Sequence, residues 1–306
     1  MRRRQPLALA AALAAALGLA ACGGEDAATG SATTPAADDA VTVVASTNVY
    51  GAIASAIAGD AATVTSILSD PSADPHSYEA NTRTQLELSR ADVVIENGGG
   101  YDDFVDTMLD AAGDADPVVV DAVEVSGKDT TGEFNEHVWY DVATVRKVAD
   151  AVEAALVQAS PDDAATFTAG ADALDAQLAG LEQRIAGDAG ATRGARVAVT
   201  EPVPGYLLDA LGAEDVTPEE FSEAIEEEND VPAAALRETL DLFTGGQVEA
   251  LVYNEQTTGP QTEQVLAAAR AAGVAVVPVT ETLPEGQDYV TWMTANADAV
   301  AAALRA

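Results

Sequence analysis

The sequence predicts an α/β protein of two lobes, each a mostly parallel sheet covered by helices, joined by one long helix. Three observations predict it. Short β-branched runs alternate with stretches of helical spacing from Val41 to about Val120, the alternation gives way to helix alone between Asp141 and Ala186, and it resumes at Arg196. Strands that alternate with helices require crossover connections, which make neighbouring strands parallel and cover both faces of the sheet.

The elements follow in order. Val41 to Ala45 is a strand that feeds a helix over Tyr50 to Ala58 through Ser46, Thr47 and Asn48, residues suited to a capped turn. Ala62 to Leu68 is a strand, Asn81 to Ser89 a helix, Ala91 to Ile95 a strand ending at Asn97-Gly98-Gly99-Gly100, Tyr101 to Ala112 a helix, and Pro117 to Val120 a strand. The helical stretch from Asp141 breaks at Ser160-Pro161-Asp162-Asp163, where serine caps and proline takes a first helical position. Pro161 to Ala186 then reads as one long connecting helix stopped by Gly187, with a loop from Asp188 to Gly194. In the second lobe, strands are expected at Arg196 to Thr200, Ala250 to Tyr253 and Val274 to Val279. Helices are expected at Gly205 to Leu211, Pro232 to Thr244, Pro260 to Ala272 and Tyr289 to Leu304. The lobes so defined span residues 41–140 and 195–306, with a helical linker over 141–194.

The first 40 residues read differently. Arg2, Arg3 and Arg4 precede an uncharged apolar run from Pro6 to Ala21, which is too short for a comfortable membrane span and rich in small residues. It ends at Leu19-Ala20-Ala21-Cys22, which resembles the bacterial lipobox, so residues 1–21 are expected to be a lipoprotein signal peptide and Cys22 the lipidated residue. Cys22 is the only cysteine in the chain, so no internal disulfide can form. Residues 22–40 are small and polar and read as a flexible tether.

A net charge of −37 excludes nucleic acid as a partner and makes most of the 51 acids solvating groups. The run Glu219, Glu220, Glu223, Glu226, Glu227, Glu228 and Asp230 is read in this way, as a solvated face or capped helix, with a calcium or sodium contact as the lesser alternative.

Chemistry concentrates at few positions. The chain has two histidines, His76 in Asp74-Pro75-His76-Ser77-Tyr78-Glu79 and His137 in Asn135-Glu136-His137-Val138-Trp139, each in a polar segment after an expected strand. Segments at strand carboxyl ends form the ligand cleft of parallel α/β lobes. Neutral imidazole is the commonest ligand of zinc and its neighbours. Glu201 ends a strand of the second lobe and would add a carboxylate, making a mixed nitrogen and oxygen site for a divalent first-row metal. A fourth donor is open among Asn254, Glu255, Gln256 and Glu281, all at later strand ends, and water. Trp139, Tyr78 and Trp292 are expected to pack rather than to bind.

The chain resembles the metal-binding lipoproteins that serve zinc and manganese importers of the ATP-binding-cassette type. The resemblance rests on Ser46-Thr47-Asn48-Val49-Tyr50, Gly59-Asp60, the Asp74 to Glu79 string, Ala91-Asp92, Asn97-Gly98, His137-Val138-Trp139 and Asp288-Tyr289-Val290-Thr291-Trp292-Met293. It implies a zinc or manganese ion as transported ligand, held between the lobes in the inter-lobe cleft, with His76 and His137 as first-lobe ligands. Glu201 falls where zinc members carry a third histidine and manganese members a glutamate. Glu281 stands where the family has an aspartate, which makes it the fourth ligand. The implied partners are a permease and its ATPase, with the membrane reached through Cys22 and the protein itself a monomer outside the cytoplasm.

The rivals are a binding protein for a small organic solute or chelated metal, and a secreted zinc hydrolase. A hydrolase is disfavoured because neither a His-Glu-x-x-His string nor a Gly-x-Ser-x-Gly elbow occurs.

Overall fold

The computed structural model describes residues 40–70, 78, 81–113, 115–132 and 134–305. Cys22 and His76 lie outside the described residues. The first lobe runs β1 (Val41–Thr47), α1 (Asn48–Ala58), β2 (Ala62–Leu68), α2 (Thr82–Leu88), β3 (Val93–Glu96), α3 (Phe104–Ala112), β4 (Val118–Asp121) and α4 (Ala122–Ser126). Two helices follow, α5 (Val142–Ala159) and α6 (Ala164–Thr192). The second lobe runs β5 (Arg196–Val199), α7 (Gly205–Leu211), β6 (Glu214–Asp215), α8 (Glu219–Glu226), α9 (Ala233–Thr244), β7 (Ala250–Asn254), α10 (Pro260–Ala272), β8 (Ala275–Val279) and α11 (Tyr289–Ala303).

Both sheets are parallel throughout and share one strand order. The first is β2-β1-β3-β4, with Val43 opposite Val64 and Val93, and the second is β6-β5-β7-β8, with Val197 opposite Asp215 and Ala250. In each sheet the chain first crosses to one side and then to the other, which leaves a crevice at the carboxyl ends of the two central strands. Asn97 follows β3, Glu201 follows β5 and Asn254 ends β7, so all three stand at such crevices.

Local chemistry sets many element ends. Asn81 caps α2 by accepting from Arg83 N and Thr84 N, and Asp121, Asp141 and Asp288 cap α4, α5 and α11 in the same way. Each such cap contributes about 1 kcal/mol. The long helix departs from expectation. Pro161 to Asp163 form a 3-10 turn, and α6 then runs through Gly187 and Gly190 to Thr192, ending before Gly194 at φ +76°. Glycine costs a helix only about 1 kcal/mol. Here the buried row Phe167, Leu174, Leu178, Leu181 and Ile185 outweighs that cost, since full burial of each such side chain is worth about 2 kcal/mol.

α6 packs on α1 of the first lobe and on α7 and α11 of the second. At Gly170 a Cβ would overlap Ile57 O, so the absent side chain is what lets α6 approach α1 so closely. The apolar core is continuous across the lobes, with Val43, Ile95 and Trp139 in the same cluster as Val199, Val252 and Met293. Hydrogen bonds reinforce it: Tyr140 OH donates to Thr280 O (2.6 Å), Tyr289 OH to Trp139 O (2.7 Å), and the Asn48 amide pairs with Leu283 N and O (2.9 Å each). Trp139 and Trp292 are core residues, 1% and 2% exposed, as expected for packing side chains.

Candidate metal centre

Three polar side chains of the second lobe meet at its strand ends. Asn254 Nδ2 donates to Glu281 Oε1 (2.9 Å) and also to Glu201 Oε2, so one amide holds two carboxylates in place. Glu281 is further positioned by Tyr101 OH from the first lobe (3.0 Å to Oε2) and by its own N–H, which donates to Gln256 Oε1 (2.5 Å). Glu201, Asn254 and Glu281 are all buried, and Glu201 Oε1 has no hydrogen-bond partner among the described residues. Of the residues expected at these strand ends, Glu255 is exposed, while Asn254 and Gln256 act as positioning residues around Glu281.

His137 is fully buried, but its immediate predecessor in the fold is α4 and a loop rather than a strand. The short helix Ala122–Ser126 escaped the sequence reading because it is five residues long and begins on the last residue of β4. The loop is fixed from three sides. Asn97 Nδ2 donates to Glu136 O (2.9 Å), Tyr206 OH donates to Asn135 O (2.6 Å), and Asn135 Nδ2 donates to Pro202 O (2.8 Å). Asn97 is itself held by the buried Asp102 carboxylate, which accepts from Asn97 N and Gly98 N (2.7 and 2.8 Å). Gly98 sits at φ +72°, and a Cβ there would overlap the Asp121 carboxylate. This is the physical content of the Asn97-Gly98 pair.

Because Asn135 spends its amide hydrogens on Pro202, its oxygen faces His137 and accepts from His137 Nδ1 (2.9 Å) and His137 N (3.0 Å). The proton therefore lies on Nδ1, and in the neutral ring Nε2 carries the lone pair. That nitrogen is 3.2 Å from Glu226 Oε1 and 3.8 Å from Glu281 Oε2. The ring is walled by Trp139 and Tyr101, with centroids at 5.0 and 5.9 Å. If His137 ligates a metal, replacing Asn135 with alanine is expected to weaken its binding about 10- to 100-fold, the usual effect of losing the group that orients a ligating histidine. Competition against a chromophoric chelator measures it, and wild-type affinity in the variant would mean that the ring is oriented by other contacts.

Glu226 corrects the reading of the acidic run. Glu219, Glu220, Glu227, Glu228 and Asp230 are exposed as expected of a solvated face, but Glu226 is 8% exposed and faces inward on α8 beside Phe221, Ser222 and Ile225. The legible signal was Phe221 and Ile225, four apart, which mark the buried side of the helix and place Glu226, four beyond Ser222, on it.

The charges decide what this place can hold. Burial raises the Glu201 pKa to about 8, with the Glu226 and Glu281 charges adding to the rise. Burial alone would lower the His137 pKa, but Glu226 above all pushes it well above the usual imidazole value. Three carboxylates around one imidazole form a centre short of positive charge, and buried charge of one sign is costly until a proton or a cation compensates it. A cleft of about 610 Å³ opens beside it, lined in part by Glu136, Pro202, Glu223 and Glu226. Ligand atoms of Glu136, His137 and Glu226 lie within 4.8 Å of one another.

Two parallel α/β lobes that share a core are bridged by one long helix around a buried polar centre. The chain belongs to the family described as zinc-uptake complex component A, periplasmic, whose model matches residues 43–303. The chain is similar to the manganese-binding lipoprotein MntA of Halalkalibacterium halodurans, 30% identical over 171 residues that cover 56% of this chain and 55% of that protein. It is also similar to the iron-binding protein YfeA of Yersinia pestis, 26% identical over 144 residues, 46% of each chain. The chain thus spans about half the length of the curated relatives it matches. Among solved structures, the periplasmic zinc binding protein TroA from Treponema pallidum superposes with a TM-score of 0.74 at 22% identity, over 87% of this chain and 100% of that one. The solute-binding protein FpvC of Pseudomonas aeruginosa, solved in complex with Mn2+, superposes with a TM-score of 0.69 at 20% identity, over 87% and 98%. At these identities the likeness establishes the fold.

Proposed function

We propose that the protein captures one divalent transition-metal ion, zinc or manganese, outside the cytoplasm and delivers it to an ATP-binding-cassette importer. Its partners in this reading are the permease and ATPase of that importer. The role is binding and release rather than catalysis. The ligands are His76 and His137 from the first lobe and Glu201 and Glu281 from the second. The observation that carries the reading is the buried His137 Nε2, left by the Asn135 contact at Nδ1 to face Glu226 at 3.2 Å and Glu281 at 3.8 Å. Membership of a metal-uptake family supports it, as do relatives named for manganese and iron binding.

Titration of metal-free protein with Zn2+ and Mn2+ tests the reading. The expected result is saturation at one ion per molecule, and failure to bind either ion would remove it. Titration with a metal chelate in competition with the free ion separates the reading from capture of a chelated metal or organic solute, which would require the complex to bind more tightly.

Residues 1–21 are proposed as the signal and Cys22 as the lipid attachment site, with 22–40 as tether and the two lobes beyond. Cys22→Ala is then expected to leave the protein unacylated and free of the membrane fraction. An acylated, membrane-bound variant would refute the anchor.

A further inference from the structure

We propose that Glu226 binds the captured ion directly, as a third carboxylate of the second lobe, and biases the site toward manganese over zinc; this rests on the reading of the centre as a metal site. Two atoms that ligate one ion through bonds of about 2.1 Å stand about 3.0 Å apart in an octahedral arrangement and about 3.4 Å apart in a tetrahedral one. Glu226 Oε1 is 3.2 Å from His137 Nε2, inside that interval, whereas Glu281 Oε2 is 3.8 Å from the same nitrogen. Glu226 therefore fits beside His137 on a shared ion at least as well as the carboxylate that the resemblance selects.

The fold commits Glu226 to this position. Phe221 and Ile225 anchor the inner face of α8 in the second-lobe core, and Ser222 and Glu226 are buried with them. Glu226 also lines the 610 Å³ cleft, on the same element that carries it beside the buried ring. Glu136, on the wall of that cleft, completes a group with His137 and Glu226 whose ligand atoms lie within 4.8 Å. The second observation is Glu201, held through its Oε2 by Asn254 while its Oε1 is buried without a hydrogen-bond partner among the described residues.

The consequence is a change in donor count and hardness. A site with four ligands satisfies zinc with its tetrahedral preference. A fifth donor, and a third that is carboxylate, suits manganese, which takes hard oxygen ligands and higher coordination. Zinc gains little from the extra oxygen, while three carboxylates on a divalent ion leave one negative charge in excess.

The test compares wild type with Glu226→Gln, which keeps the shape and removes the charge, and with Glu226→Ala. Affinities for Mn2+ and Zn2+ are measured by competition, and Co2+ absorption reports coordination number. The expected result is a loss of Mn2+ affinity of about 10-fold or more in E226Q with a smaller loss for Zn2+. The Co2+ spectrum should also change, from the weak bands of a five- or six-coordinate ion in wild type to the intense bands of a four-coordinate one in the variant. Mn2+ affinity that does not fall relative to Zn2+, whether neither changes or both fall in parallel, overturns the proposal. So does an unchanged Co2+ spectrum. Wild-type protein that binds neither metal would instead remove the metal-binding reading itself.

Discussion

His137→Ala is expected to abolish tight metal binding, with a loss of at least about 100-fold, more than the loss of an orienting neighbour causes. Two effects act together. The ring supplies the one nitrogen donor among the described residues of the centre, and its removal takes the imidazole away from both Glu226 and Glu281. Removing one partner of a buried charge pair destabilises a protein by about 3–5 kcal/mol, so the metal-free variant should also melt at lower temperature. Competition titration measures the first effect and a thermal scan of metal-free protein the second. A variant that binds Zn2+ or Mn2+ as tightly as wild type would remove His137 from the ligand set. The variant is informative even if it is less stable, because affinity is read at a temperature where it is folded.

The fold was largely legible because its signals are local. β2, α7 and α10 coincide with the expected spans, and most other elements differ by a few residues at an end, as where Asn81 caps α2 and the helix begins at Thr82. The misses are also local in kind. α4 and β6 are too short for a periodic pattern, and α6 runs past Gly187 because packing along its buried row decides its length. The candidate centre was legible in part, since a rare residue type such as histidine stands out, and a carboxylate at a strand end has a defined place in a parallel sheet. Glu226 was hidden by its surroundings. In a run of seven acids, composition speaks of solvation, and only the inward face set by Phe221 and Ile225 distinguishes one glutamate from its neighbours. Asn135 and Tyr101 were invisible for another reason: each acts on the centre through a contact distant in sequence or dependent on a loop conformation that no periodicity encodes.

The metal-free protein is expected to lose stability as pH rises from about 5 to about 8, while the metal-loaded protein gains on it. The sign follows from the protons. In the folded metal-free state the Glu201 pKa is raised from 4.5 to about 8, chiefly by burial, so between those values the folded chain holds a proton that the unfolded chain has released. Glu96 is likewise raised to about 8, by burial and then by the Asp102 charge, and acts in the same direction. His137, raised mainly by Glu226 against the effect of burial, holds its proton above the unfolded value of 6.5 and adds to the same slope. Stability from all three is present at low pH and is lost as pH climbs through the folded-state values. In the proposed site a metal ion replaces protons on Glu201 and His137, so its affinity is expected to rise with pH, about tenfold per unit for each proton released. Ion at about 1,000 times its Kd contributes about 4 kcal/mol, an increase in melting temperature of about 8–16 °C, and each released proton adds about 3–5 °C to that gap per pH unit. Thermal scans of metal-free and metal-loaded protein at about pH 6, about pH 7 and about pH 8 measure both trends. A gap that stays constant across that range would show that loading releases no proton, and the carboxylate and imidazole of Glu201 and His137 would then not be where the ion binds.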